Sequence, residues 1–350
     1  MLSSTGAGPL ARKIGDIRRK AVSLTDASLV KSRPLYPDQK FIQVYEPATD
    51  DVDLADWMKH SREQIEADLL VHGALLLRGF QVNSIVDFEQ ATQAFYGELY
   101  AGYGDLPRAG ASEKIYKSTP YPPDKAILYH NESSHLDSWP MKIGFFCVQK
   151  AEEGGATPLL DCRAVCERIH PAVFARFAEK GLMYVRNFSE GIDVSWRHFF
   201  QTEDKAVVEA QCREAGVGFE WTAGDGLRTR QVGPAVARHP KTGETVFFNQ
   251  VQLHHVYCLD AATRESLLAL FGEEYLPRQV YYGDGSTIED SVMQHLGEVF
   301  EQTAIRSDWQ NGDIALLDNM LTAHARDPYR GERRIVVAMG QMFAKKDLRS

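Results

Sequence analysis

The stretch Tyr129-His130-Asn131-Glu132 decides how the rest of this sequence is interpreted. If the segment is extended, His130 and Glu132 lie on one face, because side chains alternate between the two sides of a strand. An imidazole and a carboxylate at this spacing can bind one ion together. Taken alone the pair is weak evidence, since His-x-Glu is common in proteins and is usually a surface pair.

A second histidine lies far downstream, in Met320-Leu321-Thr322-Ala323-His324. The order of histidine, carboxylate and distant histidine is that of the 2-His-1-carboxylate facial triad, which holds non-haem Fe(II) and leaves other positions open. Thr157 and Arg334 follow the two halves of this set, and a hydroxyl and a guanidinium can jointly bind a carboxylate. Each also has an ordinary interpretation, as a turn threonine and as a strand-end arginine facing water.

The elements around these residues are predicted to be strands and short helices. Apolar runs at 143–149, 313–319 and 334–342 predict strands. Apolar residues at helical spacing predict a helix over 54–72 that ends at Gly73. Antiparallel strands can bring distant ligands together at the mouth of a barrel or jelly roll.

The chain contains no repeat and no linker that would divide it. We therefore predict a single domain over residues 36–350. Residues 1–35 are small, polar and mixed in charge, which predicts a flexible N-terminal arm. Residues 181–235 are less patterned and predict a lid-like insertion that covers the site, where irregular segments often carry binding residues.

Composition excludes several classes of function. The 350 residues are 44% hydrophobic, which is enough for a sizeable core. A net charge of −9 without a Lys/Arg run argues against a nucleic-acid partner. Five cysteines without a Cys-x-x-Cys motif predict reduced thiols of a cytoplasmic protein. No apolar run approaches the roughly 18 residues that a membrane span needs.

Several motifs, taken together and in order, resemble the Fe(II)/2-oxoglutarate dioxygenases of the taurine dioxygenase/clavaminate synthase superfamily. They are His130-x-Glu132, Gly154-Gly155-Ala156-Thr157, Ala237-Arg238-His239-Pro240-Lys241-Thr242-Gly243, Trp309-Gln310-Asn311-Gly312-Asp313, Asp318-Asn319, His324 and Arg333-Arg334. The resemblance runs from about residue 40 to the C-terminus. Within the superfamily, the chain looks most similar to the syringomycin-type amino-acid hydroxylases of peptide natural-product pathways.

The resemblance implies roles for five residues. His130, Glu132 and His324 match the iron ligands, and Thr157 and Arg334 match the pair that binds the distal carboxylate of 2-oxoglutarate. The implied fold is mainly β with flanking helices, a double-stranded β-helix or jelly roll. The implied cosubstrates are 2-oxoglutarate and O2, and the products include succinate and CO2.

Two departures from the family pattern narrow the expected chemistry. The carboxylate ligand is Glu132, which resembles the clavaminate side of the superfamily, and a retained carboxylate argues against halogenation. Ala338 stands where the taurine enzyme carries a further arginine for its sulfonate, which argues against a sulfonate substrate.

The predicted function is hydroxylation of an unactivated C–H of an amino acid, either free or tethered to a carrier protein. Desaturation or cyclisation by the same oxidant is an alternative that no motif separates. A non-catalytic jelly-roll binding module and a zinc hydrolase are rivals from other classes, and His130, Glu132 and His135 form a conceivable local zinc set. The basic residues Arg326, Arg330 and Arg333 are expected to form a solvated face, with contact between one of them and a substrate carboxylate as the alternative. Substrate identity and oligomeric state stay open.

Overall fold

The computed structural model describes residues 29–101, 108–109, 114–119, 121–188 and 194–348. The strands are β1 (Val30–Pro34), β2 (Gln43–Pro47), β3 (Ala74–Leu77), β4 (Ile115–Lys117), β5 (Ile127–His130), β6 (Ser138–Gln149), β7 (Glu153–Gly154), β8 (Leu159–Asp161), β9 (Leu182–Phe188), β10 (Gly218–Thr222), β11 (Gly226–Gly233), β12 (Val236–Arg238), β13 (Thr245–Phe247), β14 (Arg278–Tyr282), β15 (Ile314–Asp318), β16 (Thr322–Arg326), β17 (Tyr329–Arg330) and β18 (Arg334–Ala344). The helices are α1 (Leu54–His60), α2 (Arg62–His72), α3 (Ile85–Tyr96), α4 (Cys162–Arg168), α5 (Pro171–Lys180), α6 (Trp196–Phe200), α7 (Lys205–Glu214), α8 (Val251–His254), α9 (Ala261–Phe271) and α10 (Asp290–Thr303). The prediction of a strand-rich fold with flanking helices is confirmed.

The largest sheet has seven strands in the order β1-β2-β3-β15-β6-β18-β4. Its strands are antiparallel except for the parallel pair β2 and β3. Helix α3 packs on one face, where the Phe88 ring stacks on Phe146 of β6 at 5.3 Å. Both faces are covered by apolar clusters, so β6 and β15 read as continuous apolar runs rather than as alternating ones.

A three-stranded sheet in the order β5-β16-β8 faces the large sheet. The rings of Phe145 on β6 and His324 on β16 lie 5.0 Å apart between the two sheets. On the opposite face of β16, Ala323 joins an apolar core that includes Val165 of α4 and Phe300 of α10. The helices therefore hold the outer side of this sheet and leave its inner side for the site.

The segment over 181–235 is more regular than the sequence predicted. It contains β9, α6, α7, β10 and β11, and β9 to β11 join β14 in a four-stranded sheet. Polar residues such as Thr229 and Gln231 are buried on β11, so the apolar alternation that identifies a strand is missing.

Two other predicted boundaries are wrong. The helix expected over 54–72 divides at Ser61, which ends α1 and precedes α2. The predicted arm over 1–35 lies outside the described residues up to residue 28. The remainder forms β1, an edge strand that can end in Pro34 because an edge position needs no further ladder hydrogen bond.

Two expectations from composition can be compared with the described residues. All five cysteines are free thiols. Within the parts of the chain that the structure describes, no helix is long and apolar enough to span a bilayer.

Candidate active site

Two histidines meet as cross-strand partners in the three-stranded sheet. His130 ends β5 and His324 lies in the middle of β16, directly opposite it in the ladder. Their ring centroids are 4.2 Å apart. Strand β16 was not among the strands that the sequence predicted. The antiparallel pairing explains how residues so distant in sequence reach one point.

Glu132 completes the cluster from the turn that follows β5. Candidate ligand atoms of His130, Glu132 and His324 all lie within 4.8 Å of one another, and all three residues are buried. Among the described residues, this is the one group of three or more histidine, cysteine or acidic side chains with such an arrangement. The structure therefore brings together the three metal ligands that the sequence predicted.

The surroundings of the two imidazoles favour metal binding. Nδ1 of His130 donates to the carbonyl of Leu128 at 2.8 Å, so Nε2 is the ring nitrogen available to an ion. Burial, and then the neighbouring His130, hold the pKa of His324 well below its usual range. His324 is therefore neutral at physiological pH, as metal coordination requires.

The residues present fit a bound ion. Nδ1 of His324 is buried without a hydrogen-bond partner, although buried polar atoms are nearly always paired. Two imidazoles and a carboxylate on one side of an open space are the donor set of a non-haem Fe(II) site. A tetrahedral structural zinc site would instead require a fourth protein ligand.

A cavity of about 440 Å³ opens beside the three ligands. Apolar side chains, including Phe145, Ile335 and Val337, form much of its wall. Thr157 and Arg333 supply polar groups, and Nη2 of Arg333 donates to Oγ1 of Thr157 at 3.2 Å. The cavity thus joins a candidate metal site to a hydroxyl and a cation.

The arginine of this cavity is Arg333, and the prediction of Arg334 is wrong in its placement. Arg334 begins β18 with an exposed side chain and is absent from the cavity wall. Arg333, Ile335 and Val337 all line the cavity, as alternate residues of an extended chain do. Burial, and then the nearby Arg326, lower the pKa of Arg333 to about 10, so it stays charged at neutral pH.

The basic residues expected on a solvated face divide between two environments. Arg330 is solvated, with 82% of its side chain exposed. Arg326 is buried on β16, lines the cavity and donates to the carbonyls of Tyr121, Pro122 and Lys125. Its guanidinium therefore fixes the loop before β5 and adds positive charge beside Arg333.

His135 does not join the metal cluster. Its half-buried ring lies 5.2 Å from the ring of His254 and 5.8 Å from that of Tyr184. The local zinc set of His130, Glu132 and His135 is therefore not formed among the described residues. Burial, followed by the charges of Arg186 and Arg278, lowers the pKa of His135 to about 3.

Comparison with known proteins agrees with this geometry. Over residues 32–339, the sequence matches the family described as "Taurine catabolism dioxygenase TauD, TfdA family". The chain belongs to the TauD/TfdA family. As a family member, it is a 2-oxoglutarate-dependent non-haem iron dioxygenase, with Fe(II) as cofactor and 2-oxoglutarate and O2 as cosubstrates.

Relatives within and around the TauD/TfdA family cover most of the chain. The dapdiamide synthesis protein DdaC of Enterobacter agglomerans is 35% identical over 308 residues, covering 88% of this chain and 93% of DdaC. A clavaminate synthase-like protein of Arabidopsis thaliana is 31% identical over 288 residues, covering 78% of this chain and 83% of that protein. The crystal structure of a taurine dioxygenase from Burkholderia xenovorans is similar in fold, with a TM-score of 0.55, 16% identity and 89% coverage of both chains.

Proposed function

We propose that this dioxygenase hydroxylates an unactivated C–H of an amino-acid-like substrate, free or tethered to a carrier protein, and releases succinate and CO2. The observation that carries the proposal is the complete buried ligand set of His130, Glu132 and His324 at the mouth of the cavity. Bound iron would supply the activation of O2. Glu132 would supply a carboxylate ligand to the iron, and a retained carboxylate supports hydroxylation over halogenation.

We assign the cosubstrate to the same cavity. His130, Glu132 and His324 would hold Fe(II), and Thr157 and Arg333 would bind the distal carboxylate of 2-oxoglutarate. Arg333 donates through Nε to the carbonyl of Gly155 at 2.9 Å, so its guanidinium is oriented before any ligand binds. The apolar wall excludes water, which strengthens the contact between this cation and a carboxylate.

The inner face of the four-stranded sheet supports a substrate that carries a carboxylate. Arg186 on β9 and Arg278 on β14 are direct cross-strand partners. Both charges depress the pKa of His135, three residues after Glu132. Positive charge thus lies near His135, on the sheet to which the insertion contributes β9 to β11. We propose that the insertion over 181–235 acts as a lid that contacts the substrate.

Because Arg333 and not Arg334 lies in the cavity, the residue that bears on a sulfonate substrate is no longer Ala338. With Arg333 in the cavity, the corresponding later position is Val337, which lines the cavity, whereas Ala338 is buried in the core on the other face. An apolar residue stands there in either case. The absence of an arginine at this point of the cavity wall supports a substrate other than a sulfonate.

The remaining finer assignments are proposals as well. We propose that the large sheet and the three-stranded sheet form the two walls of a double-stranded β-helix within one domain over 36–350. We also propose membership of the syringomycin-type subgroup, since DdaC is named for a biosynthesis. The five free cysteines support a cytoplasmic location.

Succinate release tests the proposed reaction. The protein is supplied with Fe(II), 2-oxoglutarate and O2, and amino acids and their pantetheine thioesters are added one at a time. We expect one substrate to stimulate succinate release and to gain one oxygen atom by mass spectrometry, with no reaction in Glu132→Ala. Loss of two hydrogens would instead establish desaturation or cyclisation. Failure of every amino acid and thioester would overturn the proposed substrate class.

A further inference from the structure

Glu132 lies in a turn, and side-chain amides hold its backbone in place. Oδ1 of Asn319 accepts from the Glu132 N–H at 2.8 Å, and Nδ2 of Asn319 donates to the Glu132 carbonyl at 2.9 Å. One amide group therefore forms hydrogen bonds with both the N–H and the carbonyl of Glu132, as a neighbouring strand would. The next residue, Ser133, has a φ of +57°, which is uncommon outside glycine. The turn thus depends on external contacts for its shape.

Asn319 is itself fixed on every side. Its side chain is fully buried, and Nδ2 also donates to the carbonyl of Pro140 at 2.8 Å, at the other end of the turn. Nδ2 of Asn131 donates to the backbone carbonyl of Asn319 at 2.7 Å. Both N–H groups and one acceptor position of the Asn319 amide are engaged, by Glu132 and Pro140, so the side chain is held in one orientation.

Asp318, the residue before Asn319, links Asn319 to the strand that carries His324. Oδ1 of Asp318 accepts from the N–H groups of Met320 and Leu321, at 3.0 and 3.1 Å, and so shapes the turn from β15 into β16. Asn319 lies inside that turn. The strand that carries His324 and the turn that carries Glu132 are therefore fastened to each other five residues before His324.

We propose that Asn319 is a positioning residue that sets the place of the Glu132 carboxylate relative to the two histidines. Metal binding requires ligand atoms within a few tenths of an ångström of their ideal positions. A glutamate has one more rotatable bond than an aspartate, so its carboxylate needs a firmly held backbone. The inference rests on the proposed role of Glu132 as a metal ligand.

The test compares the Fe(II) dissociation constants of wild type, Asn319→Ala and Asn319→Asp, measured anaerobically by titration with Fe(II) alone. We expect both variants to bind Fe(II) about 10- to 100-fold more weakly, the range found when groups that orient metal ligands are removed. Asn319→Asp has nearly the volume of the native residue and retains the acceptor for the Glu132 N–H. It therefore keeps the test available if Asn319→Ala does not fold.

Asn187→Ala is the matched control. Asn187 is another buried asparagine, whose Nδ2 donates to the carbonyl of Leu276 at 2.7 Å in the four-stranded sheet. Thermal unfolding of the metal-free proteins should show a loss of stability in both Asn187→Ala and Asn319→Ala. Only the Asn319 variants should also change Fe(II) affinity. Equal changes in affinity would reduce Asn319 to a structural residue and overturn the proposal.

A double-mutant cycle with Glu132→Ala separates the positioning role of Asn319 from the proposed ligand role of Glu132. If Asn319 acts through Glu132, substitution of Asn319 should change Fe(II) affinity by less than about twofold in the Glu132→Ala background. An undiminished effect there would contradict the positioning role. If Glu132→Ala alone leaves Fe(II) affinity unchanged, the proposed ligand set fails instead.

Discussion

Nε1 of Trp309 donates a hydrogen bond of 3.0 Å to Oγ1 of Thr157. Arg333 donates a second hydrogen bond to the same oxygen, at 3.2 Å. A threonine hydroxyl has two acceptor positions and one donor. Because both acceptor positions are taken, the hydroxyl proton is left to donate to a ligand in the cavity. Trp309 thus orients the hydroxyl that we assign to the distal carboxylate of 2-oxoglutarate.

Trp309→Phe should weaken the binding of 2-oxoglutarate without affecting the chemical step. The ring is retained and one donor is lost, which is worth about 1 kcal/mol. We expect KM for 2-oxoglutarate to rise about fivefold, with kcat at saturation and Fe(II) affinity unchanged. Trp196→Phe is the control, because Trp196 also donates one indole hydrogen bond, to Asp225 in the insertion. The same KM in both variants would contradict the role of Trp309.

Arg278→Gln should weaken binding of the substrate but not of Fe(II) or 2-oxoglutarate. A lost hydrogen bond to a charged group costs about 1.5–3 kcal/mol, which corresponds to a rise in substrate KM of roughly 10- to 100-fold. Fe(II) and 2-oxoglutarate affinities should stay at the wild-type values. Arg230→Gln, on the same sheet but 40% exposed and paired with Glu220, should have little effect. If both variants behave alike, the substrate does not contact this face of the four-stranded sheet.

Lys142→Met should destabilise the protein in a way that depends on pH. Lys142 and Asp318 are both fully buried and 3.0 Å apart. Burial by itself raises the pKa of the Asp318 carboxyl, but the Lys142 ammonium and the His239 imidazole hold it well below its usual range. Removal of one partner from a buried pair costs about 3–5 kcal/mol. Lys125→Met, from the solvent-exposed pair with Asp260, should have little effect on stability at any pH.

The sign of the pH effect follows from the depressed pKa. Such a carboxyl contributes stability above its unfolded pKa of about 3.9, and the contribution is lost as the pH falls below that value. The difference in unfolding free energy between wild type and Lys142→Met should therefore be largest near neutral pH and should shrink below about pH 4. Denaturant unfolding at several pH values measures it. A constant difference would mean that the pair is not ionised in the folded protein.

The candidate metal ligands could be predicted from the sequence because their chemistry restricts the residue types. A histidine, a carboxylate two residues on and a later histidine have few other joint uses, and the flanking apolar runs predicted strands. The pairing of His130 with His324 was beyond prediction, because register depends on contacts between segments nearly two hundred residues apart. The sequence identified Asn319 only as part of a motif, because the neighbouring residues do not show which backbone groups its amide hydrogen-bonds.

The choice between Arg333 and Arg334 shows a limit of pattern reasoning. Both faces of β18 are apolar, with Val337 toward the cavity and Val336 toward the helices, so the pattern does not identify the inner face. The ladder between β18 and β6 also shifts register between Arg334 and Ile335. A one-residue error in such a strand moves a side chain to the opposite face.

The central claim is that one cavity holds iron on His130, Glu132 and His324, and 2-oxoglutarate on Thr157 and Arg333. Anaerobic addition of Fe(II) and 2-oxoglutarate should produce the weak metal-to-ligand charge-transfer band in the visible for both wild type and Arg334→Ala. The dissociation constant of 2-oxoglutarate should be similar in these two proteins. In Arg333→Ala that constant should rise roughly 10- to 100-fold, since a charged hydrogen-bond partner is lost. Absence of the band in wild type, or weakening by Arg334→Ala and not by Arg333→Ala, would contradict the account.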